Sequence, residues 1–444
     1  MQTLFQSLMR GIVRATVHRG VVRERRAQRR MREKSVSETW QSSFNEAVAF
    51  ANRMHAESPA YRERLKHDGL GSTITTESWN DLPVLTKDDF RCDTDSWFGE
   101  PVRTEKVMWT YTSGSTGEPF KFPLSKASAL AETAANELNL QAVGWNPGMA
   151  RATIKFEPKP VRGLRKIYHT LMGKKEIGFV AANFRMEHVP AMVERIRRER
   201  ISYLRGYSTS IFLVAQEVLR CGLTCKIPLI TTLGEGLSKN RADVIERAFG
   251  GRVYRDYGGS EAMHIGFECA ERRGYHVDLA RFYVEIMRDG RLTIPGESGD
   301  IVVTAYRNAA MPLVRYRIGD VGRWVVDDTP CPCGNRFPLL AEVLGRTGDV
   351  VVTATGHVIN APLLVYVLEY AHEHISQFKV IQKENDRFDV LWVARHDRAA
   401  DHLPSLQQEL LTKSGGGVSF DWHQVAEIPA DKSGKRRVFV PLKQ

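Results

Sequence analysis

Apolar, strand-like runs recur along this chain, with helical stretches between several of them. The runs are EKVMWTYT, ARATIKF, IPLITTLGE, GRVYRDYGG, DIVVTAY and VGRWVV. Apolar residues at helical spacing mark 38–70, 125–143, 188–200, 208–220 and 239–249. Strands that alternate with helices pair side by side through crossovers, so the pattern predicts an α/β body with a mainly parallel sheet. After about residue 280 strand follows strand, as in a β-rich subdomain. Beyond LGRTGDVVVTATGHVIN come a helix in APLLVYVLEYAHEH, strands in QFKVIQKEN and RFDVLWVAR, another helix and a basic tail. That order predicts a separate, small α+β lid. The expected parts are a basic helical arm over 1–36, a large domain over 37–345 and the lid over 346–444.

Composition excludes several function classes. Hydrophobic content of 42% and charged content of 26% are those of a globular protein. No apolar run approaches the roughly 18 residues of a membrane span. The start, MQTLFQSLMRGIVRATVHRG, has no long apolar centre and no small-residue cleavage site, so no secretory signal is expected. Six cysteines in 444 residues make no disulfide framework. The expected compartment is the cytoplasm.

The net charge of +11 is concentrated at one end. Residues 1–34 hold ten Arg or Lys against Glu24 and Glu33, a net of +8, which leaves +3 for the other 410 residues. A nucleic-acid surface along the chain is therefore not expected. Leu4, Phe5, Leu8, Met9 and Ile12 fall on one helical face, with Arg10 and Arg14 opposite. Two readings of this arm stand. It is a basic helix packed on its own protein with a solvated outer face, which is the default, or a peripheral contact with an anionic membrane or an acidic partner.

The segment WTYTSGSTGEPFKFP (109–123) packs no core. Consecutive N–H groups in a Gly-rich turn form a concave anion site, and Ser and Thr hydroxyls add donors. No Gly-Lys-Ser/Thr follows, so this is not a Walker loop. By itself it also fits a plain flexible loop. RDYGGSEA (255–262) adds an aromatic ring for a purine, a hydroxyl for a phosphate and a hard oxygen, Glu261, for Mg²⁺. RYRIGDVGRW (315–324) presents Asp320 at a turn, where a carboxylate accepts from ribose hydroxyls. IPADKSGKRR (428–437) carries Lys435 after a glycine near the chain end.

In this order these segments resemble the adenylate-forming superfamily of acyl-CoA synthetases and adenylation domains. The closer likeness is to the phenylacetate–CoA ligase, CapK-like and coenzyme F390 synthetase family. It runs from SPAYRERL (58–65) to the end, through LPVLTKDDFR, YTSGSTGEP, YGGSEA, MPLVRYRIGD, CPCG and GRTGDVV…GHVIN. The resemblance implies that Ser113, Gly114, Ser115, Thr116 and Gly117 grip the ATP β,γ-phosphates. Gly234, Glu235, Asp256, Tyr257 and Gly258 would form the adenine pocket. Ser260 and Glu261 would handle phosphate and Mg²⁺, and Asp320 and Arg346 the ribose. Lys435 would reach the acid and the α-phosphate, with Lys432 as the alternative. By this resemblance Thr116, Glu261 and Lys435 would be the catalytic set.

Two departures from the superfamily pattern stand out. Phe120 separates Pro119 from Lys121, where a lysine usually follows the proline directly. Gly348, followed by Asp349, occupies the usual place of the acidic pivot two residues after Arg346.

Cys269 and His276 in FECAERRGYH, with Cys331 and Cys333 in PCPCGN, supply three sulfurs and one nitrogen, a set suited to structural Zn²⁺. The alternative is scattered reduced thiols. The resembled family carries a similar set, which favours zinc. Cys92, Cys221 and Cys225 read as plain thiols, and HEHIS (372–376) is not a metalloprotease motif, because Ser376 replaces the second His. Tyr207, Met263 and His264 are candidates for the acid pocket or for the core. The basic stretch 159–175 would meet an anionic substrate, CoA or a carrier protein, or is solvated charge.

The expected activity is an ATP-dependent carboxylic acid–CoA ligase working through an acyl-adenylate, with AMP as product. Its partners would be a small carboxylic acid and coenzyme A. The alternatives are transfer to a carrier-protein thiol, an amine or an alcohol, and a non-catalytic scaffold.

Overall fold

The computed structural model describes residues 19–442 apart from Cys92, 112–120, 156–174, 181–185, Glu235, Asp328, 347–349, 353–357, 361–363, Tyr366, 369–370, 415–416 and 430–437. The chain packs as two units. The described residues of Met1–Gly148 and Tyr254–Val343 form the first. Those of Met149–Val161, with Lys175–Val253 and Leu344–Gln444, form the second.

The first unit begins with helices α1 (Arg19–Glu33), α2 (Val36–Glu57) and α3 (Pro59–His67). Ser35 and Glu38 start α2 with a reciprocal capping box. The stretch read as one helix over 38–70 breaks at Ser58. Pro59 has no N–H to continue the helix but is tolerated at a new first turn, and the Ser58 hydroxyl caps that turn. A hairpin of β1 (Met108–Tyr111) and β2 (Lys121–Leu124) leads into α4 (Lys126–Ala142).

Further along, this unit contains β7 (Arg252–Gly259, from Tyr254 on), β8 (Met263–Glu268), β9 (Tyr275–Val277) and β10 (Tyr283–Arg288). They are joined by β11 (Arg291–Leu292), β12 (Gly299–Thr304), β13 (Tyr316–Trp324) and β14 (Leu339–Arg346, as far as Val343). Their spatial order is β11-β10-β12-β13-β14-β9-β8-β7. The described pairings among them are antiparallel. Strand-after-strand structure thus starts at β8, earlier than residue 280. The turns of the β7–β8 and β8–β9 connections are short, and short connections force antiparallel neighbours.

One side chain fastens two distant motifs of this unit. Arg315, at φ 45°, is 2% exposed. Its guanidinium donates to the carbonyls of Trp79 (3.3 Å), Asn80 (2.9 Å) and Leu82 (2.7 Å), and to Glu285 at 3.2 Å. Leu85 N–H bonds the Arg315 carbonyl at 3.0 Å, and Leu85 pairs with Tyr316. LPVLT (82–86) is therefore laid against the start of β13. Around this point Trp40, Phe44, Trp79, Tyr283 and Trp324 meet largely edge to face at 5.3–5.8 Å.

The second unit contains the parallel strands the sequence alternation required. β3 (Arg151–Lys155), β4 (Glu176–Val180), β5 (Tyr203–Tyr207) and β6 (Leu229–Leu233) lie in the order β6-β5-β3-β4. Helices α5 (Val189–Arg198), α6 (Ser208–Arg220) and α7 (Lys239–Phe249) share their core. Helix α6 is buried on every side from Ser208 to Val218. Gly206, just before it, passes so close to β3 that a Cβ would stand 2.7 Å from the Ile154 carbonyl.

The unit also holds a two-stranded antiparallel pair, β15 (Val350–Val352) and β16 (Val358–Asn360), and a C-terminal α+β domain. β17 (Ile375–Glu384), β18 (Arg387–Ala394), β19 (Ser419–Gln424) and β20 (Phe439–Val440) form a sheet in the order β19-β18-β17-β20, with helix α8 (Leu403–Lys413). Phe388, Val390 and Trp392 alternate inward along β18 and pack with Val380, Leu410 and Phe420. Among the described residues no helix is long and apolar enough to cross a membrane.

Replacing Arg315 tests the fastening. In Arg315→Ala three carbonyls lose a charged donor, and Glu285, whose pKa burial already raises against the pull of Arg315, protonates rather than stand charged. A loss of about 3–5 kcal/mol is expected. Denaturant midpoints at constant m measure it, and a loss under about 1 kcal/mol would show that the fastening is not where the stability lies.

Candidate active site

The hydroxyl-rich segment is the connection of a hairpin. Tyr111 pairs with Lys121 and Trp109 with Pro123, so the chain leaves and returns at one point. Ser113, Gly114, Ser115, Thr116 and Gly117 lie outside the described residues, as do Pro119 and Phe120. The base of the hairpin is held from two sides. Lys121 Nζ sits 3.7 Å from the Trp109 ring centroid, a cation–π contact. Thr110 Oγ1 donates to the Ser260 carbonyl at 3.0 Å.

Ser260 belongs to the tip of the β7–β8 hairpin. Gly258 pairs with His264 and Gly259 with Met263, with an irregularity in register between Tyr257 and Gly258. Gly258 is required there, because a Cβ would stand 1.8 Å from the Met263 carbonyl. Met263 takes φ 60°, the left-handed conformation that closes the tip. Ser260 and Glu261 are half-buried at that tip.

Tyr257 is buried, its ring tilted against Tyr275 at 5.9 Å, and its hydroxyl donates to Asp320 Oδ2 at 3.1 Å. Asp320 lies on β13, in the strand that Arg315 anchors. The first unit thus brings together Thr110, Asp256, Tyr257, Gly258, Ser260, Glu261 and Asp320. Gly234, at φ 72° after β6, and Tyr207 at the end of β5 belong to the second unit. Arg346 ends β14. Glu235, Lys432, Lys435, Gly348, Asp349 and 159–174 of the basic stretch lie outside the described residues.

A buried ionic network stands behind the hairpin, and no sequence motif announced it. His264 is placed between two carboxylates. Its Nε2 is 2.9 Å from Asp256 Oδ2, and its Nδ1 bonds Glu132 of α4. Arg281 bonds the second oxygen of Glu132, the His264 carbonyl and, at 2.7 Å, Asp278. His264 is therefore committed to protein carboxylates. Burial alone would lower its pKa, but Asp256 and Glu132 outweigh burial and raise it to about 9. Burial likewise opposes ionisation of Glu132, but Arg281 and His264 hold its pKa at about 2. One signal for Glu132 was present. It is a charged residue on the Ala131–Ala134–Ala135–Leu138 face that α4 buries.

The other end of β8 carries the sulfur and nitrogen cluster. Cys269 follows β8, His276 lies on β9, and Cys331 and Cys333 precede β14. Their donor atoms all lie within 4.8 Å of one another. The Cys269 and Cys331 sulfurs are 3.7 Å apart. Two thiolates at tetrahedral angles around Zn²⁺, each about 2.3 Å away, stand about 3.8 Å apart. His276 Nδ1 is 2.8 Å from the Phe337 carbonyl, to which it donates, leaving Nε2 bare at 3.2 Å from Cys333 Sγ. That carbonyl is the outer partner expected of a metal-bound imidazole. Gly334, at φ 84°, closes a turn onto the Cys331 carbonyl and forms the knuckle. The four residues fit a four-coordinate ion. Cys221 and Cys225 join no such group among the described residues, and Cys92 lies outside them.

Residues 351–441 match the family described as the CapK C-terminal domain. The chain is 23% identical over 396 residues to Protein CapK of Staphylococcus aureus, covering 87% of this chain and 86% of that one. It is 25% identical over 309 residues to the phenylacetate–coenzyme A ligase of Thermus thermophilus, covering 66% and 67%. A solved 2-hydroxyisobutyryl-CoA ligase, in the postadenylation state with its acyl-AMP, superposes with a TM-score of 0.75 at 16% identity over 93% of this chain and 92% of that one. That likeness concerns the fold.

The network predicts a pH dependence of stability. A folded-state pKa above the unfolded value of about 6.5 makes the contribution of His264 complete below about pH 6.5. It is lost as pH rises through about 9. The loss is on the order of 3 kcal/mol for a shift of this size. Denaturant midpoints should fall between pH 6.5 and 9 in the wild type, and the fall should be shallower in Glu132→Gln. Equal slopes would exclude the network as the cause.

Proposed function

We propose that this chain, a homologue of CapK and of the phenylacetate–CoA ligases with the fold of the adenylate-forming CoA ligases, is an AMP-forming acid–thiol ligase. It joins a small carboxylic acid to ATP, releases pyrophosphate, and passes the acyl group to coenzyme A. One observation carries this reading. Two hydrogen bonds, Thr110 to Ser260 and Tyr257 to Asp320, gather the strand entering the hydroxyl-rich loop, the YGGSE tip and the ribose-type carboxylate into one place.

The chemistry asks for those parts. A carboxylate oxygen attacks the α-phosphorus of ATP while the bond to pyrophosphate breaks. Two anions must approach, and charge grows on the leaving group. Donors from Ser113, Gly114, Ser115, Thr116 and Gly117 would bind the β,γ-phosphates, and Lys435 would sit against the acid and the α-phosphate. Glu261, a half-buried carboxylate at the hairpin tip, would hold Mg²⁺. Asp320, oriented by the Tyr257 hydroxyl, would accept from the ribose hydroxyls, and Arg346 would donate to them. Gly234, Glu235, Asp256 and Gly258 would line the adenine, Asp256 through its backbone, since its carboxylate is engaged by His264. The thiol then attacks the acyl carbon, and AMP leaves. The domain division would be the arm over 1–36, the adenylating domain over 37–345 and the lid over 346–444.

The Cys269, His276, Cys331 and Cys333 set would hold a structural Zn²⁺. Four protein ligands leave no open position for substrate. The reaction would run in the cytoplasm, where thiols stay reduced. Transfer to a carrier-protein thiol, an amine or an alcohol would use the same first step.

The deciding experiment is pyrophosphate release from ATP with a panel of carboxylic acids, with and without CoA. Acid-dependent release followed by CoA-dependent thioester supports the ligase. Release with no thioester points to another acceptor, and no release with any acid points to a scaffold. Lys435→Ala should lower pyrophosphate release about 10²–10³-fold and spare thioester formation from preformed acyl-adenylate. Lys432→Ala should change neither, and the reverse pattern would move the catalytic register by three residues. Purified protein should contain about one zinc per chain. Cys333→Ser should lower Tm more than it lowers the specific activity of the folded fraction, and metal-free protein of unchanged Tm would exclude the zinc.

A further inference from the structure

Helix α1 is fastened to the first unit along one face. Arg25 pairs with Glu137 at 2.9 Å, and Glu24 accepts from Arg307 at 2.6 Å. Gln28 donates to the Ala131 carbonyl at 2.9 Å. Arg32 donates to Asn139 at 2.7 Å and lies over the Phe337 ring. This packing bears out the expectation of a basic helix on its own protein, for residues 19–33.

The packing leaves a second face unexplained. Arg23, Arg26 and Arg30, spaced three and four apart, form one exposed row, with Arg29 beside it. Among the described residues none of the four forms an ion pair. Like charges at this spacing repel and weaken a helix. The body uses Arg25 and Arg32, whereas the fold has no use for these four. Because the opposite face is pinned by four side-chain contacts, the row is held outward as a fixed surface.

We propose that this face docks on the anionic surface of a lipid bilayer. Two observations favour a bilayer over other polyanions. First, the sequence immediately before the helix supplies Leu4, Phe5, Leu8, Met9 and Ile12 at helical spacing, with Arg10 and Arg14 opposite. A single weak signal gives only marginal membrane binding, and firmer attachment combines an apolar signal with a polybasic one, which are adjacent here. Apolar residues add nothing to binding a phosphate backbone in water. Second, the other 410 residues carry only +3, so no cationic track extends beyond the arm for a nucleic acid to follow. The bilayer would contribute anionic headgroups to the arginine row and an apolar boundary layer to the segment before it.

The test uses the full chain and sedimentation with vesicles of phosphatidylcholine alone or mixed with phosphatidylglycerol. Binding is expected only with phosphatidylglycerol, and it should weaken as salt rises. A surface arginine contributes about fivefold to partitioning. The Arg23→Gln/Arg26→Gln/Arg29→Gln/Arg30→Gln variant should therefore bind two to three orders of magnitude more weakly. Because those side chains are exposed, unused by the body and mutually repelling, its Tm should not fall below the wild-type value. Phe5→Asp/Leu8→Asp, with every arginine kept, should also weaken binding. Equal binding to both vesicle types would overturn the proposal, as would wild-type partitioning by the four-arginine variant. So would capture on polyglutamate or duplex DNA with no vesicle binding, which would assign the face to an acidic protein or a nucleic acid instead.

Discussion

The Arg315 guanidinium carries much of the first unit. It is almost fully buried, and it donates to three carbonyls of one segment, those of Trp79, Asn80 and Leu82, and to Glu285 on β10. A buried cation is tolerated when its donors are satisfied, and here the partners are backbone carbonyls and a carboxylate. The result is positional. The LPVLT segment, the start of β13 and the β10–β12 ladder are drawn to one point. Five residues along β13, Asp320 then arrives at the Tyr257 hydroxyl. A left-handed φ at Arg315 itself is the backbone cost of aiming the side chain inward.

The β7–β8 hairpin shows how a soft tip is supported by hard flanks. Its tip carries two glycines, a serine and a residue at positive φ, none of which adds rigidity. Behind the tip, Asp256, His264, Glu132, Arg281 and Asp278 alternate in charge. In a low-dielectric setting such contacts are strong, and each depends on its neighbours being present. Farther along, the half-buried Arg255 pairs with the buried Glu268 at 2.6 Å. The Cys269 and His276 donors follow directly. Strand β8 therefore runs from the candidate phosphate-binding tip to the candidate zinc knuckle, with a charged clamp near each end. Disturbing the knuckle is expected to act on the tip through this strand rather than through contact with substrate.

Much of this was legible in the chain itself. Two of the four parallel strands, β3 in ARATIKF and β6 in IPLITTLGE, and the helices over 208–220 and 239–249 follow from alternation of apolar periods, a local property, whereas β4 and β5 were missed. The four metal-type donors were legible because C-x-C followed by glycine has few other uses. The boundary at Ser58 was missed although Pro59 announced it, because apolar spacing continues across the break. The early start of the antiparallel region was missed because β8 and β9 are short and joined by a polar turn. Met263 and His264 were read as acid-pocket or core candidates. His264 instead spends both nitrogens on Glu132 and Asp256, partners 132 and 8 residues away.

What the sequence determined by itself was the set of local instructions: which segments pleat or coil, where glycine allows close backbone approach, and which residue types cluster within a few positions. Those depend on steric and hydrogen-bonding choices inside a window of about a dozen residues. Only the tertiary structure decided which of them meet. That Tyr257 holds Asp320, that Thr110 holds the Ser260 carbonyl, and that Glu132 charges His264 are contacts between segments 63, 150 and 132 residues apart. Sequence spacing carries no information about such distances. Their existence depends on burial, because an unpaired charge or hydroxyl inside the protein would cost more than the fold can spare.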